Sequence, residues 1–436
     1  MRRSRSVAIQ TGCTLLFLLT LWAGYSHFSA ESWSSLRYSA SDQSELSVSE
    51  TTNSNFTSPG KEPQLPVDDE SSTAALNDAF NTEPYVTAIF ETEDTTFSRL
   101  QCPAPDHDRY SYLKAEAGLK YFFALDLRQN VDILPRLLGS VIEAITFLGP
   151  SACALSIVEG FSTDGTREVL YALRPALAAL GVSYTVRTSD INPAAGERIP
   201  RLAALRNEAL MPLTALPAES TQDATVIFLN DVAACANDIL ELVHQRAFQG
   251  ADMTCAMDWV YVGRDPTFYD VWVARTLGGD LFFDIPPDGN WNSAWNLFWN
   301  EDGARARFHR RLPFQVFACW NGAVAFGAAP LFGEEAKVEF RGPREGECDA
   351  GEPTLFGKDL WWRGAGRIAV VPSVNLEYSD EKAAAIKEAK GYTSRWTGAE
   401  DEADTRIEWV DQPPDLVACM PGLGDKSWRP WNETLA

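Results

Sequence analysis

Thr225-Val226-Ile227-Phe228-Leu229-Asn230-Asp231 is the stretch whose reading decides the fold. Five successive apolar or β-branched residues make a strand buried on both faces, and such strands belong to sheets covered by helices on either side. Ending the strand in an amide and a carboxylate delivers both groups to the C-terminal edge of a parallel sheet, where α/β proteins bind ligands. Asp231 is there placed to hold Mg²⁺ or Mn²⁺ against a nucleotide diphosphate, because hard cations take oxygen ligands. The alternative reading makes Asn230-Asp231 a cap on a helix around 233–245.

Working outward, strand and helix signals alternate. Tyr121 to Asp126 is a short apolar run, and Ile133, Leu134, Leu137, Leu138, Val141, Ile142 and Ile145 fall at helical spacing. A strand over 154–159, a turn at Asp164-Gly165, a helix over 167–180, a strand over 183–186 and a helix over 202–211 follow. Buried runs separated by helices predict an α/β fold with a mostly parallel central sheet. After Asp231 the rhythm gives way to a segment rich in Trp, Gly and Asn, read as loops around a pocket, and 379–436 is an acidic C-terminal extension.

The 436 residues are 45% hydrophobic, enough for a sizeable core. A net charge of −23 opposes the phosphate contacts that dominate nucleic-acid binding, so no nucleic-acid partner is expected. Four His, no HExxH and no CxxC exclude the usual zinc sites. His309 lies among Arg305, Arg307, Arg310 and Arg311, a setting that disfavours a cation.

Val7 to Tyr25 carries no charge and follows Arg2, Arg3 and Arg5. It predicts a transmembrane anchor with residues 1–6 cytoplasmic and the rest lumenal, a single-pass type II membrane protein, with a cleaved signal peptide as the competing reading. Residues 26–105 read as an acidic Ser/Thr-rich stem. Asn55-Phe56-Thr57 and Asn432-Glu433-Thr434 are N-glycosylation sequons. Disulfide pairing is not readable from the cysteine spacing.

Two further segments are expected at the same sheet edge. Glu159 closes a strand and leads through Ser162 and Asp164 into a helix, a pattern suited to a nucleoside, or to an ordinary turn with Asp164 as cap. Arg201 and Arg206 offer guanidinium groups for phosphate, with surface placement as the other reading.

These segments together resemble a known family. SIVEGFSTDGT (156–166), RIPRLAALRN (198–207), VIFLNDVAACANDILEL (226–242), ADMTCAMDW (251–259), FYDVWVAR (268–275), QVFACWNG (315–322), TLFGKDLW (354–361) and VVPSVNLEY (370–378) are similar, in order and spacing, to the fungal cryptococcal-type α-1,3-mannosyltransferases, glycosyltransferase family 69, relatives of the capsule-associated proteins. The likeness spans about 107–378. It implies a GT-A-like nucleotide-diphospho-sugar transferase fold, with 106–378 as catalytic domain. It also implies GDP-mannose as donor, a divalent cation, commonly Mn²⁺, and retaining transfer to an α-mannoside acceptor. The short anchor suits placement in the Golgi membrane with the catalytic domain in the lumen. Asp231 matches the metal-linked position, but Leu229 and Ala233 stand where an Asp-x-Asp motif would place a second acid.

Downstream, Asp258, Trp259, Asp270, Arg275, Trp320 and Asn321 combine aromatic faces with groups able to orient hydroxyls, and are expected to touch the acceptor or the donor sugar. Each of these tryptophans is equally readable as core. Glu352 is the preferred acid on the acceptor side and Asp359 the second choice, solvated surface charges being the alternative. A non-catalytic polysaccharide assembly factor on the same fold, and a glycoside hydrolase needing no nucleotide donor, are the competing functions.

Overall fold

The computed structural model describes residues 80–193, 195–333, 337–397 and 405–435. Residues 71–436 form one compact unit, and 1–70 fall in another that lies outside the described residues.

A ten-stranded sheet organises the larger unit. Its strands are β1 (Tyr121–Leu127), β2 (Cys153–Glu159), β3 (Ser183–Thr188), β4 (Thr225–Leu229), β5 (Met253–Val262), β6 (Asp265–Phe268), β7 (Arg275–Thr276), β8 (Phe314–Ala318), β9 (Ala323–Gly327) and β10 (Ile368–Leu376). They lie in the order β3-β2-β1-β4-β9-β5-β10-β8-β7, with β6 on β5. A hairpin of β11 (Leu416–Cys419) and β12 (Ser427–Pro430) stands apart. The main helices are α1 (Glu83–Phe90), α2 (Leu134–Leu148), α3 (Thr166–Ala172), α4 (Arg174–Leu180), α5 (Arg198–Thr214), α6 (Ala236–Gln249), α7 (Asp302–His309), α8 (Glu352–Trp362) and α9 (Asp380–Lys390).

Two cores follow from the period of two along each strand. Phe122, Ala124, Val226 and Phe228 join the cluster containing Leu205, Ala209 and Leu213 of α5. Phe123, Leu125, Ile227 and Leu229 join the cluster of α2 and α6. Strands covered on both faces leave no polar positions, which is why β4 reads as a continuous apolar run.

The expected mostly parallel, GT-A-like sheet is corrected to a mixed one. β3, β2, β1 and β4 pair in parallel. β9 then runs antiparallel to both β4 and β5, and β8 antiparallel to β10, while β10 and β5 are parallel. An apolar run buried on both faces carries no information about strand direction, and that is what the sequence reading lacked.

The membrane expectation is also corrected. Among the described residues no helix is long and apolar enough to cross a membrane. The stretch 7–25 lies outside them, as do Asn55 and most of the expected stem. The single-pass type II anchor, the membrane partner and the Golgi membrane placement therefore rest on no helix among the described residues and are withdrawn. Within 80–105, α1 packs with Ile89 buried, and Arg99 donates to the carbonyls of Ala88, Glu91, Thr92 and Asp94. Disulfides Cys102–Cys235, Cys255–Cys319 and Cys348–Cys419 tie this segment, the sheet centre and the tail hairpin to the unit.

Candidate active site

Because β1, β2 and β4 are parallel and adjacent, their C-terminal ends meet at one edge, bringing Asp126, Glu159, Asn230 and Asp231 together. The loops leaving β1 and β2 are braced against each other. Gln129 N donates to Ser162 Oγ at 2.9 Å, Asn130 N to Thr166 Oγ1 at 2.8 Å and Val131 N to Asp164 Oδ2 at 3.0 Å. Asp164 also accepts from Thr166 N at 3.0 Å. Burial works against its charge, yet the Val131 and Thr166 amides prevail and hold its carboxyl below the ordinary range.

Glu159 is fully buried at the end of β2. Its Oε1 accepts from Ser162 N at 2.5 Å and its Oε2 from Thr188 Oγ1 at 3.1 Å. Both oxygens therefore shape the loop from within. The loop presents Phe161 outward, about half exposed, with φ of 55°.

Asp231 accepts from Asn130 Nδ2 at 2.9 Å through Oδ2. Asn230 Oδ1 receives Trp320 Nε1 at 3.0 Å and Arg206 Nη1 at 3.5 Å. Arg206 projects from α5 into the buried seam. Its Nε donates to Glu352 Oε1 at 2.9 Å, its Nη1 lies 3.8 Å from Asp126 Oδ1, and its guanidinium sits 4.4 Å from the centre of the Trp320 ring. Burial opposes its charge, but Asp126 and Glu352 outweigh that and hold its pKa above the usual value. Burial pushes Asp126 up to about 6, Arg206 pulling it down while Glu352 and Asp231 add to the rise. Arg201 is five residues from Arg206, about 140° around the helix, so the two do not share this seam.

A turn at Trp320-Asn321-Gly322 closes the site from the antiparallel side. Asn321 takes φ of 58°, a left-handed conformation that asparagine tolerates, and its N donates to Asp270 Oδ2 at 2.8 Å. Its Nδ2 donates to Ala256 O at 2.8 Å, and Asn230 N donates to Gly322 O at 2.9 Å. Gly322 has φ of 83°, and a Cβ there would lie 3.0 Å from Val232 Cγ1. Beneath the turn Asp258 is completely buried, with Tyr378 OH donating to its Oδ2 at 2.6 Å and no hydrogen-bond partner at Oδ1. Burial, then the Asp270 charge, raises Asp258 well above the carboxylate range, and burial raises Asp270 to about 6.

The remaining expected residues are engaged elsewhere. Trp259 is buried and donates Nε1 to Asn375 Oδ1 at 2.9 Å. Arg275 is buried, donates to the carbonyls of Ala418, Val271 and Ala274, and is lowered by burial to about 10. Asp359 is gripped by Arg341, which also binds Glu347. Lys358 links Glu347 to the carbonyl of Glu433, next to Asn432, so these acids fasten the tail. Sequence reasoning passed over Asp126, Asn130 and Tyr378. Asp126 closes the apolar run 121–125 as Asn230 and Asp231 close the run 225–229, and that signal was available.

Among the described residues no three His, Cys, Asp or Glu side chains are grouped to hold a metal. Asp231 fits an ion bound by one protein carboxylate and completed by diphosphate oxygens and water, a common arrangement for Mg²⁺. A cavity of about 520 Å³ lined by Arg109, Tyr112 and Phe248 among others includes none of these residues.

Comparison with known proteins agrees with the sequence motifs. The family described as Cryptococcal mannosyltransferase 1 matches residues 120–359. The alpha-1,3-mannosyltransferase CMT1 of Cryptococcus neoformans is 37% identical over 353 residues, 74% of this chain and 75% of that protein. Among solved structures, mannosyltransferase PcManGT of Pyrobaculum calidifontis, in complex with GDP-Man and Mn²⁺, is 14% identical with a TM-score of 0.36, covering 71% of this chain and 67% of that one. TarS 1-349 of S. aureus with UDP is 15% identical with a TM-score of 0.35, covering 66% and 68%. At those scores neither structure bears on the architecture or ligands of this chain. The family match spans more than half of the sequence and includes the whole strand-edge cluster, and the chain belongs to the cryptococcal mannosyltransferase family.

Proposed function

We propose that this chain transfers mannose from GDP-mannose to an α-mannoside acceptor, forming an α-1,3 linkage with retention at the anomeric carbon. By family it is a mannosyltransferase of glycan synthesis that uses a nucleotide-sugar donor. The observation that carries the finer reading is Asp231 at the end of β4, held by Asn130 beside the buried Arg206, Glu352 and Asp126 seam.

In this reading the donor lies along the edge, its nucleoside against the braced loops that carry Ser162 and Asp164 and its diphosphate toward Asn230 and Asp231. When bound, Mn²⁺ or Mg²⁺ at Asp231 neutralises charge on the leaving diphosphate. The acceptor hydroxyl bonds to the anomeric carbon as the bond to the diphosphate oxygen breaks, and its proton passes to that departing oxygen. Trp320, locked to Asn230, and Asn321, locked to Asp270, are both buried, so they brace the site from behind and do not touch the sugars. Glu352 stays ion-paired with Arg206, so it tunes the electrostatics of the acceptor side. Residues 106–378 carry this chemistry and 379–436 buttress it.

The test incubates the full chain with GDP-mannose and α-mannosides, with Mn²⁺ or a chelator, beside Asp231→Ala. Expected is metal-dependent transfer that falls at least about 10²-fold in the variant, the usual scale for losing a charge-stabilising contact. Equal transfer by the variant, or none by the parent chain, overturns the reading.

A further inference from the structure

The loop from Pro286 to Asn300 carries Trp291, Trp295 and Trp299 at intervals of four, interleaved with Asn290, Asn292, Asn296 and Asn300. It is firmly anchored. Phe298 N donates to Phe282 O at 2.6 Å, and the buried Phe298 ring packs 4.7 Å from both Phe282 and Phe314. Tight turns between fix the backbone, Ala294 N donating to Trp291 O at 3.0 Å and Asn296 N to Ser293 O at 2.9 Å. On this rigid support Trp295 is 83% exposed and Trp299 37% exposed. An indole is among the largest apolar groups a chain can bury, so a fixed loop that holds one in water presents it to something else.

Through Trp291, four residues before Trp295, the loop reaches the candidate site. Trp291 packs 6.1 Å from Trp272. Trp272 and Tyr269, 36% and 40% exposed, flank Asp270, which accepts from Asn321. Tyr269 stands edge-on to Tyr378 at 5.2 Å, and the Tyr378 hydroxyl reaches Asp258.

We propose that Tyr269, Trp272, Trp291 and Trp295 form a ledge that binds the second and later sugar units of an oligomannoside acceptor whose terminal unit occupies the transfer site. The inference rests on the mannosyltransferase reading above and adds that the acceptor is an extended glycan. A pyranose offers an apolar C–H face to a ring and a rim of hydroxyls to amides, and this loop alternates the two kinds of partner. An anionic membrane surface fits poorly, since residues 284–302 hold Asp284, Asp288, Glu301 and Asp302 and no Lys or Arg.

The test uses the full chain with GDP-mannose, Mn²⁺ and α-mannoside acceptors of one to four units. The parent chain is expected to prefer the longer acceptors in kcat/KM. Trp295→Ala should cut that preference about five- to tenfold, the range for losing one aromatic contact, and Trp295→Phe should restore most of it. Tryptophan fluorescence titrated with a linear α-mannotetraose, without donor, should show a saturable change that weakens in Trp295→Ala. If transfer occurs but length preference is the same in parent and variant, the ledge is wrong and the enzyme reading stands. If no acceptor is mannosylated, the enzyme reading fails, and the titration alone decides whether the ledge binds glycan. A change of oligomeric state in Trp295→Ala, with glycan binding unaltered, overturns the ledge in favour of contact between copies.

Discussion

From β3 to β4 every strand pair is parallel and each strand delivers its last residues to the same edge, whereas from β9 to β7 the direction reverses at almost every step. The first half builds its share of the site from strand ends and short braced loops around Asp126, Asn130 and Asp231. The second builds it from a tight turn at 320–322 and a long aromatic loop, with Cys255–Cys319 clamping β5 to the end of β8. Parallel topology collects polar groups at one edge automatically. Antiparallel topology has to fold its loops back, and here it does so with buried hydrogen bonds and a disulfide. The halves meet where β4 pairs β9, and Arg206, Glu352, Trp320 and Asn230 hold that seam.

Removing the seam should have the largest effect on folding. Arg206→Ala leaves Glu352 and Asp126 without their cation in a buried setting, at a cost of about 3–5 kcal/mol. For a unit of this size that corresponds to a fall of roughly 4–7 °C in Tm, read by calorimetry. A change below about 1 kcal/mol, the value of an exposed pair, would show the halves to be held by packing alone.

A second substitution sharpens the comparison with the opposite sign. Asp126 titrates near 6 when folded, above its usual 3.8, because burial disfavours its charge. Between these values the folded chain holds a proton that the unfolded chain has released, so stability falls as pH rises through the window and stays lower above it. Asp126→Asn should flatten that slope and raise stability at pH 7 by up to roughly 3 kcal/mol in urea denaturation series run from pH 4 to 7. An unchanged slope would remove Asp126 as its source.

The smallest effect is expected beyond the seam. Trp259→Phe deletes the hydrogen bond to Asn375 and should cost about 1 kcal/mol of stability while leaving the donor KM within about twofold. A several-fold loss in sugar affinity would return Trp259 to the site.

Legibility in the sequence tracked the same division. Asp231, Asn230 and Glu159 were legible as strand ends because each follows a continuous apolar run, and a run that stops at a polar residue marks a strand end. Trp259, Arg275 and Asp359 looked equally chemical, but their partners Asn375, Ala418 and Arg341 lie 116, 143 and 18 residues away in the chain, and no local spacing announces them. The exposed Trp295 and the buried Trp320 cannot be told apart by composition.

Residue order alone determined that helices alternate with buried strands, that acids sit at strand ends and that the chain belongs with a family of mannosyltransferases, since periodicity and motif order are local properties. Only the tertiary structure decided strand direction, disulfide partners, and which acids face the seam and which fasten the tail. Those depend on long-range pairing and on burial, which no window of the sequence contains.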